Sequence, residues 1–478
     1  MTPLSDRVVP DPIGPDPIGP DQVGPDPTRS DPTRSDDLGP DRRARVGWFE
    51  RARVAVVAVG AAIMVVVSVT HGWKVELDKR TNLGAAPLVG KWRSPRFGSS
   101  LLIAGAIAAV VVAYGPVAVA RWRFRRLLAA GGSSAVAFAL ALAASGGRGH
   151  ILDPVVNKTE YWANLKTLPP AGEMLRQYGT IRFLLGYSVH AKGHPPGFLL
   201  LLKALAAVGL GHPWVAGALS YLGIAGVVVA VAATVRIVAG EDVARRCIPL
   251  LIVAPYAVWM GTSADAFYAA VVATGVFLLA AAVTSERPAR RRATALAGGV
   301  TLASALFLTY GATLFMLLPV AVVVALGLRR WRAMLEVFVL AGMGAAAVTA
   351  GFSAAGFWWF DGLATTRTLY HWGTAQFRPA KYFFVANIAA AGIACGPAVV
   401  LAVGRRRRAA VWLLVGITAV CLLAANASQY SKGEVERIWL MFFPWFVPAA
   451  VALQRRRSWI AVQAAFAIGL QLTLVSKW

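Results

Sequence analysis

The sequence predicts an all-α protein that crosses a membrane many times. The chain has 478 residues, of which 57% are hydrophobic, a higher share than soluble domains contain. Apolar blocks of the length that a spanning helix requires recur from Val54 to Leu474. Short arginine clusters separate many of these blocks, as in the cytoplasmic loops of membrane proteins.

Three regions follow one another along the chain. Residues 1–45 repeat short units rich in Pro, Gly and Asp, such as Asp11-Pro12-Ile13-Gly14-Pro15, and this composition predicts a disordered cytoplasmic tail. Residues 46–126 hold two transmembrane helices, of which the first is an anchor because no small cleavage site follows it. Residues 127–478 form the main transmembrane domain.

Hydropathy places 13 spans on the chain. Their predicted ranges are 54–70, 99–120, 127–145, 214–235, 248–264, 266–284, 294–309, 311–328, 333–352, 383–403, 409–425, 438–454 and 458–475.

Arginine clusters that share one side of a membrane must be separated by an even number of spans. This parity puts the N-terminus inside and loop 146–213 outside, provided that the short apolar block 197–211 lies along the membrane as an interfacial or re-entrant segment. Loops 71–98, 353–382 and 426–437 and the turn at Asp265 then also lie outside. Loop 71–98 is basic and breaks the charge rule.

The net charge of +25 does not indicate a nucleic-acid partner, because most of the arginine sits in short clusters between apolar blocks. The three cysteines, Cys247, Cys395 and Cys421, form no CxxC pattern and are expected to be small core residues. Walker A, HExxH, GxSxG and dinucleotide-binding motifs are absent from the sequence, so we expect no use of ATP.

Loop 146–213 holds the main candidates for acid–base chemistry. Asp153 and Glu160 follow the end of a predicted span, where a carboxylate can act as a general base on a hydroxyl. Alternatively, Asp153-Pro154 starts a turn or caps a helix. At the other end of the loop, Lys192 and His194 precede Pro195-Pro196 and an apolar helix. Cations at a helix N-terminus favour phosphate, although anchoring to lipid headgroups explains them equally well.

The later outer loops add aromatic and charged residues. Aromatic residues in 353–382 suit either a membrane interface or sugar stacking. Glu434 or Glu436 can pair with Lys432 or Arg437, and Asp265 either caps the next helix or lines a central cavity. The candidate cavity residues are His190, Asp265, Asp361, Tyr370, His371 and Glu434.

His194-Pro195-Pro196 followed by an apolar helix resembles the [HK]-P-P segment of protein O-mannosyltransferases and lipid A aminoarabinose transferases. Together with Asp153 after a span and the Ser-x-Asp element Ser263-Ala264-Asp265, it makes roughly residues 127–454 similar to the GT-C superfamily of membrane glycosyltransferases. Members often carry paired acids in the first outer loop. Here Pro154 follows Asp153 and the next acid is Glu160.

The resemblance implies an inverting transfer of a sugar from a polyprenyl-phosphate donor to a glycan, lipid or protein acceptor outside the cell membrane. Asp153, with Glu160 as the second acid, would deprotonate or orient the acceptor hydroxyl. A divalent metal is an open alternative, but the sequence shows no clear cluster of ligands. The residues implied in stabilising the phosphate are Lys192, His194, Arg378, Lys432 and Arg437.

Two other functions compete with this interpretation. A transporter or lipid flippase would also have many spans, but it usually places charges at mid-membrane and contains internal repeats. The predicted spans show neither feature. A scaffold that recruits partners through residues 1–45 would not need acids, histidines and aromatic residues gathered on one face.

Overall fold

The computed structural model describes residues 40–476 apart from 96, 147, 262, 404, 406 and 407. Helices make up about 80% of it, which confirms the all-α prediction. The chain divides into two units, residues 1–51 and 52–478. Residues 1–39 of the predicted disordered tail lie outside the described residues. The first described helix begins at Pro40, a residue type that suits a first helical position.

Within the described residues, seven helical segments are long and apolar enough to cross a membrane. We therefore describe the chain as a helical membrane protein. The segments are Arg51–Leu77, Ser99–Arg121, Phe124–Gly146, Pro213–Ala239, Asp265–Thr284, Ala312–Ala354 and Ala409–Ser428.

The helices follow one another along the chain. In the N-terminal half they are α1 (Pro40–Leu77), α2 (Ser99–Arg121), α3 (Phe124–Ala143), α4 (Asp153–Val156), α5 (Ala171–Gln177), α6 (Ile181–Leu184), α7 (Val189–Gly193), α8 (Gly197–Leu205), α9 (Pro213–Ala239), α10 (Glu241–Ile252) and α11 (Ala257–Met260). In the C-terminal half they are α12 (Asp265–Thr284), α13 (Pro288–Leu308), α14 (Ala312–Phe315), α15 (Leu317–Gly327), α16 (Trp331–Ala354), α17 (Trp359–Trp372), α18 (Ala380–Cys395), α19 (Pro397–Ala402), α20 (Ala409–Ser428), α21 (Val435–Ile438), α22 (Val447–Ala450) and α23 (Arg456–Thr473).

Four predicted spans are interrupted helices, and in 311–328 only Met316 separates α14 from α15. Range 248–264 contains the end of α10 and the short α11 around Pro255, and 383–403 breaks at Gly396-Pro397. Range 438–454 holds only short turns of helix around Pro444 and Pro448. Proline removes a backbone donor and clashes with the preceding turn. The interrupted segments are largely buried against other helices, where irregular backbone is tolerated at membrane depth.

The apolar segment 197–211 forms one short helix with a wider last turn. Helix α8 continues through Ala206–Leu210, where Gly209 has a positive φ of 84° and ends the helical path. Phe198, Leu199 and Leu202 are buried, whereas Val208 is exposed. The segment is too short to span a bilayer.

The loops predicted to share the outer face contact one another. Arg378 Nε donates to the Thr81 carbonyl at 2.9 Å, and the Thr366 hydroxyl donates to the Lys192 carbonyl at 3.0 Å. Two short antiparallel pairs lie in the same region. Strands β1 (Gly84–Ala85) and β2 (Leu88–Val89) pair Gly84 with Val89, and β3 (Lys91–Trp92) and β4 (Leu474–Val475) pair Lys91 with Val475.

Arginine clusters distant in sequence also meet. Arg245 donates to the Trp122 carbonyl at 2.7 Å and pairs with Glu241 at 2.7 Å. Arg291 and Arg292 each pair with Glu336 at 2.6 Å. Arg245 thus joins α10 to the end of α2 through the Trp122 carbonyl, and the Glu336 carboxylate joins α16 to α13 because it accepts from two guanidinium groups.

Candidate functional site

The centre of the candidate site is a buried ion pair between α12 and α21. Arg437 Nη1 lies 2.6 Å from Asp265 Oδ2. The Ser263 hydroxyl donates to the same carboxylate at 2.5 Å, and its oxygen accepts from the Asp265 backbone N–H at 3.1 Å. All three side chains are buried, so the pair is held by charge and by hydrogen bonds that water does not weaken. Asp265 therefore does more than cap α12, since its carboxylate points into the protein.

A second carboxylate, Glu434, lies between two guanidinium groups. Arg378 Nη2 is 3.1 Å from Glu434 Oε1, and Arg437 Nη2 is 3.7 Å from Oε2. Burial acts to raise the pKa of Glu434, but the charges of Arg378 and Arg437 outweigh it and hold this pKa below its usual range. Glu434 is therefore ionised at neutral pH and links two arginines from different loops.

The backbone at Gly433-Glu434 is shaped for this contact. Both residues have positive φ, 81° and 63°. A Cβ at position 433 would stand 2.9 Å from the Phe383 ring and 3.2 Å from Arg378 Nη1, so glycine is required there. For Glu434 the left-handed conformation costs on the order of 1 kcal/mol, and the ion pairs with Arg378 and Arg437 offset this strain.

Glu160 and His190 form a third buried contact. His190 Nδ1 lies 2.8 Å from Glu160 Oε1, and both side chains are more than nine-tenths buried. The His190 backbone N–H donates to the Thr159 carbonyl at 3.2 Å, which ties α7 to the segment that carries Glu160.

The start of α7 explains this alignment. Ser188 is the N-cap of the helix, and its hydroxyl accepts from the Ala191 N–H. Asn164 donates to the Ser188 hydroxyl at 2.6 Å and accepts from the Ser188 N–H at 2.9 Å. The buried Asn164 side chain thereby fixes where α7 begins, and with it the position of His190.

His194 packs beside His190, with ring centroids 6.3 Å apart. Its Nδ1 is 3.0 Å from the His190 carbonyl, which can only accept a hydrogen bond, so Nδ1 carries the proton and Nε2 the lone pair. Burial, together with the charges of His190 and Arg437, lowers the pKa of His194 to about 4, and the charge of Asp265 opposes this shift only in part. At neutral pH His194 is therefore an uncharged acceptor and not the cation that its sequence position indicates.

Aromatic rings enclose these groups. Tyr161 stacks on His190 with ring centroids 5.9 Å apart and meets Phe198 edge-on at 5.0 Å. Tyr268 packs against His194 at 5.8 Å and against Phe198 at 5.5 Å. Burial raises the pKa of Tyr161 well above its usual range. Its hydroxyl therefore stays protonated and can serve as a donor.

The His194-Pro195-Pro196-Gly197 run has a packing role as well. Pro196 is the residue before α8, and Gly197 begins it. A Cβ on Gly197 would collide with the Phe307 carbonyl of α13. Only glycine lets α8 approach the α13 backbone this closely, which sets the height of His194 beside Tyr268.

Glu436 joins the site to the β1–β2 hairpin. Its Oε1 accepts from the Val89 N–H at 2.8 Å, and the residue is fully buried. Burial raises the pKa of Glu436 to about 7, with a smaller contribution from Glu434. In contrast, acidic neighbours (Asp265, Glu160 and Glu434) raise the pKa of Arg437 despite its burial.

Four predicted residues lie at the rim of this cluster. The Tyr370 hydroxyl accepts from the Lys432 N–H at 3.0 Å and donates to the Gln429 carbonyl at 3.2 Å. His371 is exposed and meets the Tyr430 ring at 6.1 Å. Lys192 is partly buried at the end of α7.

Two predicted residues lie apart from the cluster. The side chain of Asp153 is 65% exposed at the start of α4, 4.0 Å from His150 Nδ1. Asp361 is exposed in the first turn of α17. The structure thus brings Glu160, and not Asp153, next to the other candidate residues.

Sequence reasoning passed over Tyr161, Asn164, Ser188 and Tyr268. Tyr161 follows Glu160 directly, and Tyr268 comes three residues after Asp265, so proximity to a selected acid was the signal available. Among the described residues, no group of three or more His, Cys, Asp and Glu side chains could hold a metal ion.

No known family model, curated protein or solved structure gives a significant match to this chain. The chemistry of this protein is therefore inferred from the residues of the site. The cluster combines an acid beside a histidine (Glu160 and His190), a neutral acceptor (His194) and guanidinium groups (Arg378 and Arg437). Such a set can take a proton from a hydroxyl and can stabilise an anion such as phosphate.

Proposed function

We propose that this protein is a membrane glycosyltransferase that transfers a sugar from a polyprenyl-phosphate donor to an extracytoplasmic acceptor in the cell envelope, either a glycan, a lipid or a protein. The observation that carries the proposal is the cluster formed by the buried residues Glu160, His190, Asp265 and Arg437 together with the partly buried His194. These residues come from segments far apart in sequence, yet they converge at the ends of helices. Burying so many polar groups is costly unless they are paired or functional.

In this proposal Glu160 is the general base, in preference to Asp153. A base needs a fixed position beside the reacting hydroxyl, and Glu160 is buried and held against His190. Asp153 faces solvent, where its carboxylate is free to rotate. His190 would orient the Glu160 carboxylate, and Asn164 and Ser188 would hold His190 in place.

The transfer would proceed with inversion. The acceptor hydroxyl gives its proton to the Glu160 carboxylate while its oxygen attacks the anomeric carbon of the donor. The bond between that carbon and the phosphate oxygen breaks, and its electron pair leaves with the polyprenyl phosphate. The donor is already activated, which agrees with the absence of a nucleotide-binding motif from the sequence.

Arg437 and Arg378 would stabilise the leaving phosphate, with Lys432 and Lys192 at the rim. Guanidinium groups bind phosphate through two parallel hydrogen bonds. Asp265 and Glu434 hold both arginines in place, so a phosphate would compete with these carboxylates. His194, uncharged at neutral pH, would accept a hydrogen bond from a sugar hydroxyl through Nε2.

The proposed topology has 13 spans, with the N-terminus in the cytoplasm and the cluster on the extracytoplasmic side. The interrupted segments around Pro255, Gly396 and Pro444 count as spans in this scheme. Their burial supports this, since broken helices cross membranes only where other protein covers them.

A transporter or lipid flippase is the second candidate function. It would place its charged site near the middle of the spans. Here Asp265 lies in the first turn of α12, and Glu434 and Arg437 lie in or next to the short α21. This position at the helix ends favours the transferase.

The proposal is tested with the purified full-length protein in lipid vesicles and a panel of radiolabelled polyprenyl-phosphate sugars, with cell-envelope extract as acceptor. We expect transfer by the wild type and a loss of about 10²–10⁴-fold in Glu160→Gln. Glu173→Gln, an exposed carboxylate in the same loop, is the matched control and should retain activity. Asp153→Asn should also transfer normally.

Two results would count against the proposal. If Asp153→Asn abolishes transfer while Glu160→Gln does not, the base assignment is reversed. If no donor is used but labelled lipid crosses the vesicle membrane, the protein is a flippase.

A further inference from the structure

A groove that shares no lining residue with the buried cluster lies among helix ends that carry arginine. Helices α2, α10, α22 and α23 and the turn after α22 line it. It is a shallow, open groove: its cavity volume is about 30 Å³, and the 420 Å³ of space between its walls includes the part that is open to the surroundings. Its walls are mainly apolar and include Pro116, Val119, Leu250, Val451 and Ile460.

Two prolines shape the groove. Pro116 lies inside α2 and Pro249 inside α10, and each removes one backbone hydrogen bond and disturbs the preceding helical turn. Gly115 packs beside Pro249, where a Cβ would lie 3.4 Å from its ring. The two helices approach closely at this point, and the apolar slot lies beside this contact.

Cationic residues stand at the edge of this slot. Arg246 and Arg456, from α10 and α23, both line it, together with Trp459. Arg246 Nη2 pairs with Asp242 at 2.6 Å, while its Nε is buried and makes no hydrogen bond within the described part of the chain. Arg456 is exposed between Arg455 and Arg457. The positive charge at the edge of the groove therefore exceeds the single negative charge of Asp242.

We propose that this groove binds an anionic phospholipid of the surrounding bilayer, with an acyl chain in the slot and the phosphate between Arg246 and Arg456. The apolar wall suits a hydrocarbon chain, and the two guanidinium groups complement a phosphate. Basic pockets between membrane helices bind anionic headgroups in this way, and tryptophan is favoured at the level of the headgroups. The site is independent of the proposed transferase activity.

Native mass spectrometry of the full-length protein tests the proposal. The protein is released from micelles that contain equal amounts of phosphatidylglycerol and phosphatidylcholine, and the retained lipid is identified. The wild type should retain phosphatidylglycerol preferentially. Arg246→Gln combined with Arg456→Gln should weaken its binding about 30-fold, since each arginine near a phosphate contributes about a fivefold preference.

Three further variants separate the groove from general surface charge. Arg287→Gln with Arg290→Gln removes the same charge at exposed positions of another arginine cluster and should leave binding unchanged. Arg246→Lys with Arg456→Lys keeps the charge and should retain most of the preference. Val451→Trp fills the slot and should displace the lipid with both arginines in place.

Equal retention of the two lipids by the wild type would overturn the proposal. So would an equal loss in the Arg287/Arg290 variant, because binding would then follow net charge alone. Full binding in Val451→Trp would show that no acyl chain enters the groove. Size-exclusion profiles and thermal unfolding identify any variant that fails to fold. If the double glutamine variant fails to fold, the double lysine variant is compared with the wild type instead.

Discussion

Arg437 and Asp265 are 172 positions apart in sequence, yet Arg437 Nη1 lies 2.6 Å from Asp265 Oδ2 in a site that excludes water. The contact joins the start of α12 to the short α21, which precedes the broken helical region 438–454. Arg437 also contacts Glu434, and through it Arg378. One ion pair therefore organises the ends of three segments that the proposed reaction requires together.

Removing one partner of this ion pair should destabilise the protein more than removing both partners together. We expect Asp265→Asn or Arg437→Gln alone to lower the free energy of unfolding by about 3–5 kcal/mol, because each leaves an uncompensated buried charge. The double variant should lose less than the sum of the two. Denaturant unfolding in detergent measures this. Arg292→Gln, whose side chain is 66% exposed in its pair with Glu336, is the control and should change stability by less than about 1 kcal/mol. Additive effects at 265 and 437 would show that the pair does not form.

His194 should make stability fall as the medium becomes acidic. Its pKa in the folded protein is about 4, whereas an unfolded histidine has a pKa of about 6.5. Between these values the unfolded state takes up a proton that the folded state lacks, so stability is lost as pH falls from about 6.5 to 4. His194→Asn keeps a donor toward the His190 carbonyl and should remove roughly 3 kcal/mol of this dependence. Thermal unfolding at several pH values measures it, and an unchanged slope in the variant would contradict the prediction.

Glu436 should produce the opposite slope. Its pKa of about 7 in the folded protein exceeds the value of about 4.3 for an unfolded glutamate. Between these values the folded state holds a proton that the unfolded state has released, so stability falls as pH rises from about 4.3 to 7. Glu436→Gln can still accept from the Val89 N–H and should flatten this part of the profile. Glu173→Gln, at an exposed position, is the control. The prediction fails if the two variants show the same dependence of stability on pH.

Gly197 should tolerate no side chain. In Gly197→Ala the new Cβ collides with the Phe307 carbonyl, so α8 must move away from α13 at a cost of about 1–3 kcal/mol. Gly193→Ala, four residues earlier, meets no atom within 4 Å and should be nearly neutral. Thermal unfolding compares the two. In the proposed transferase Gly197→Ala should also reduce activity, because His194 moves with α8. Equal stability of the two alanine variants would exclude the close approach.

The proposed topology can be tested by cysteine labelling. Cys247, Cys395 and Cys421 are all buried, so the native background should be low. Lys158→Cys in loop 146–213 should react with an impermeant maleimide in intact cells, and Arg290→Cys only after the cells are opened. Both positions are exposed. Labelling of Arg290→Cys in intact cells would show that the proposed topology is inverted.

Much of the fold followed from local sequence. Long apolar runs such as 99–120 and 214–235 became helices within a few residues of their predicted bounds, because spanning length and intrachain hydrogen bonding are local requirements. The interruptions near Pro255, Gly396 and Pro444 were missed. Hydropathy counts apolar residues without regard to the breaks that proline and glycine introduce.

The candidate site followed from sequence only in part. Residue type pointed to Glu160, His190, Asp265, Glu434 and Arg437, and the structure brings them together. Asp153 was favoured because it follows a span, but nearness along the chain does not fix where a side chain points. Tyr161 and Tyr268 were missed because buried aromatic residues in a membrane protein look like ordinary core.

By itself, the sequence determined that this is a helical membrane protein with a polar loop between Gly146 and Gly197, since apolar length and composition are properties of short segments. Only the tertiary structure decided that Glu160 is enclosed while Asp153 faces solvent, and that His194 is uncharged. Burial and charge pairing depend on segments such as α12 and α21, which meet only when the chain packs.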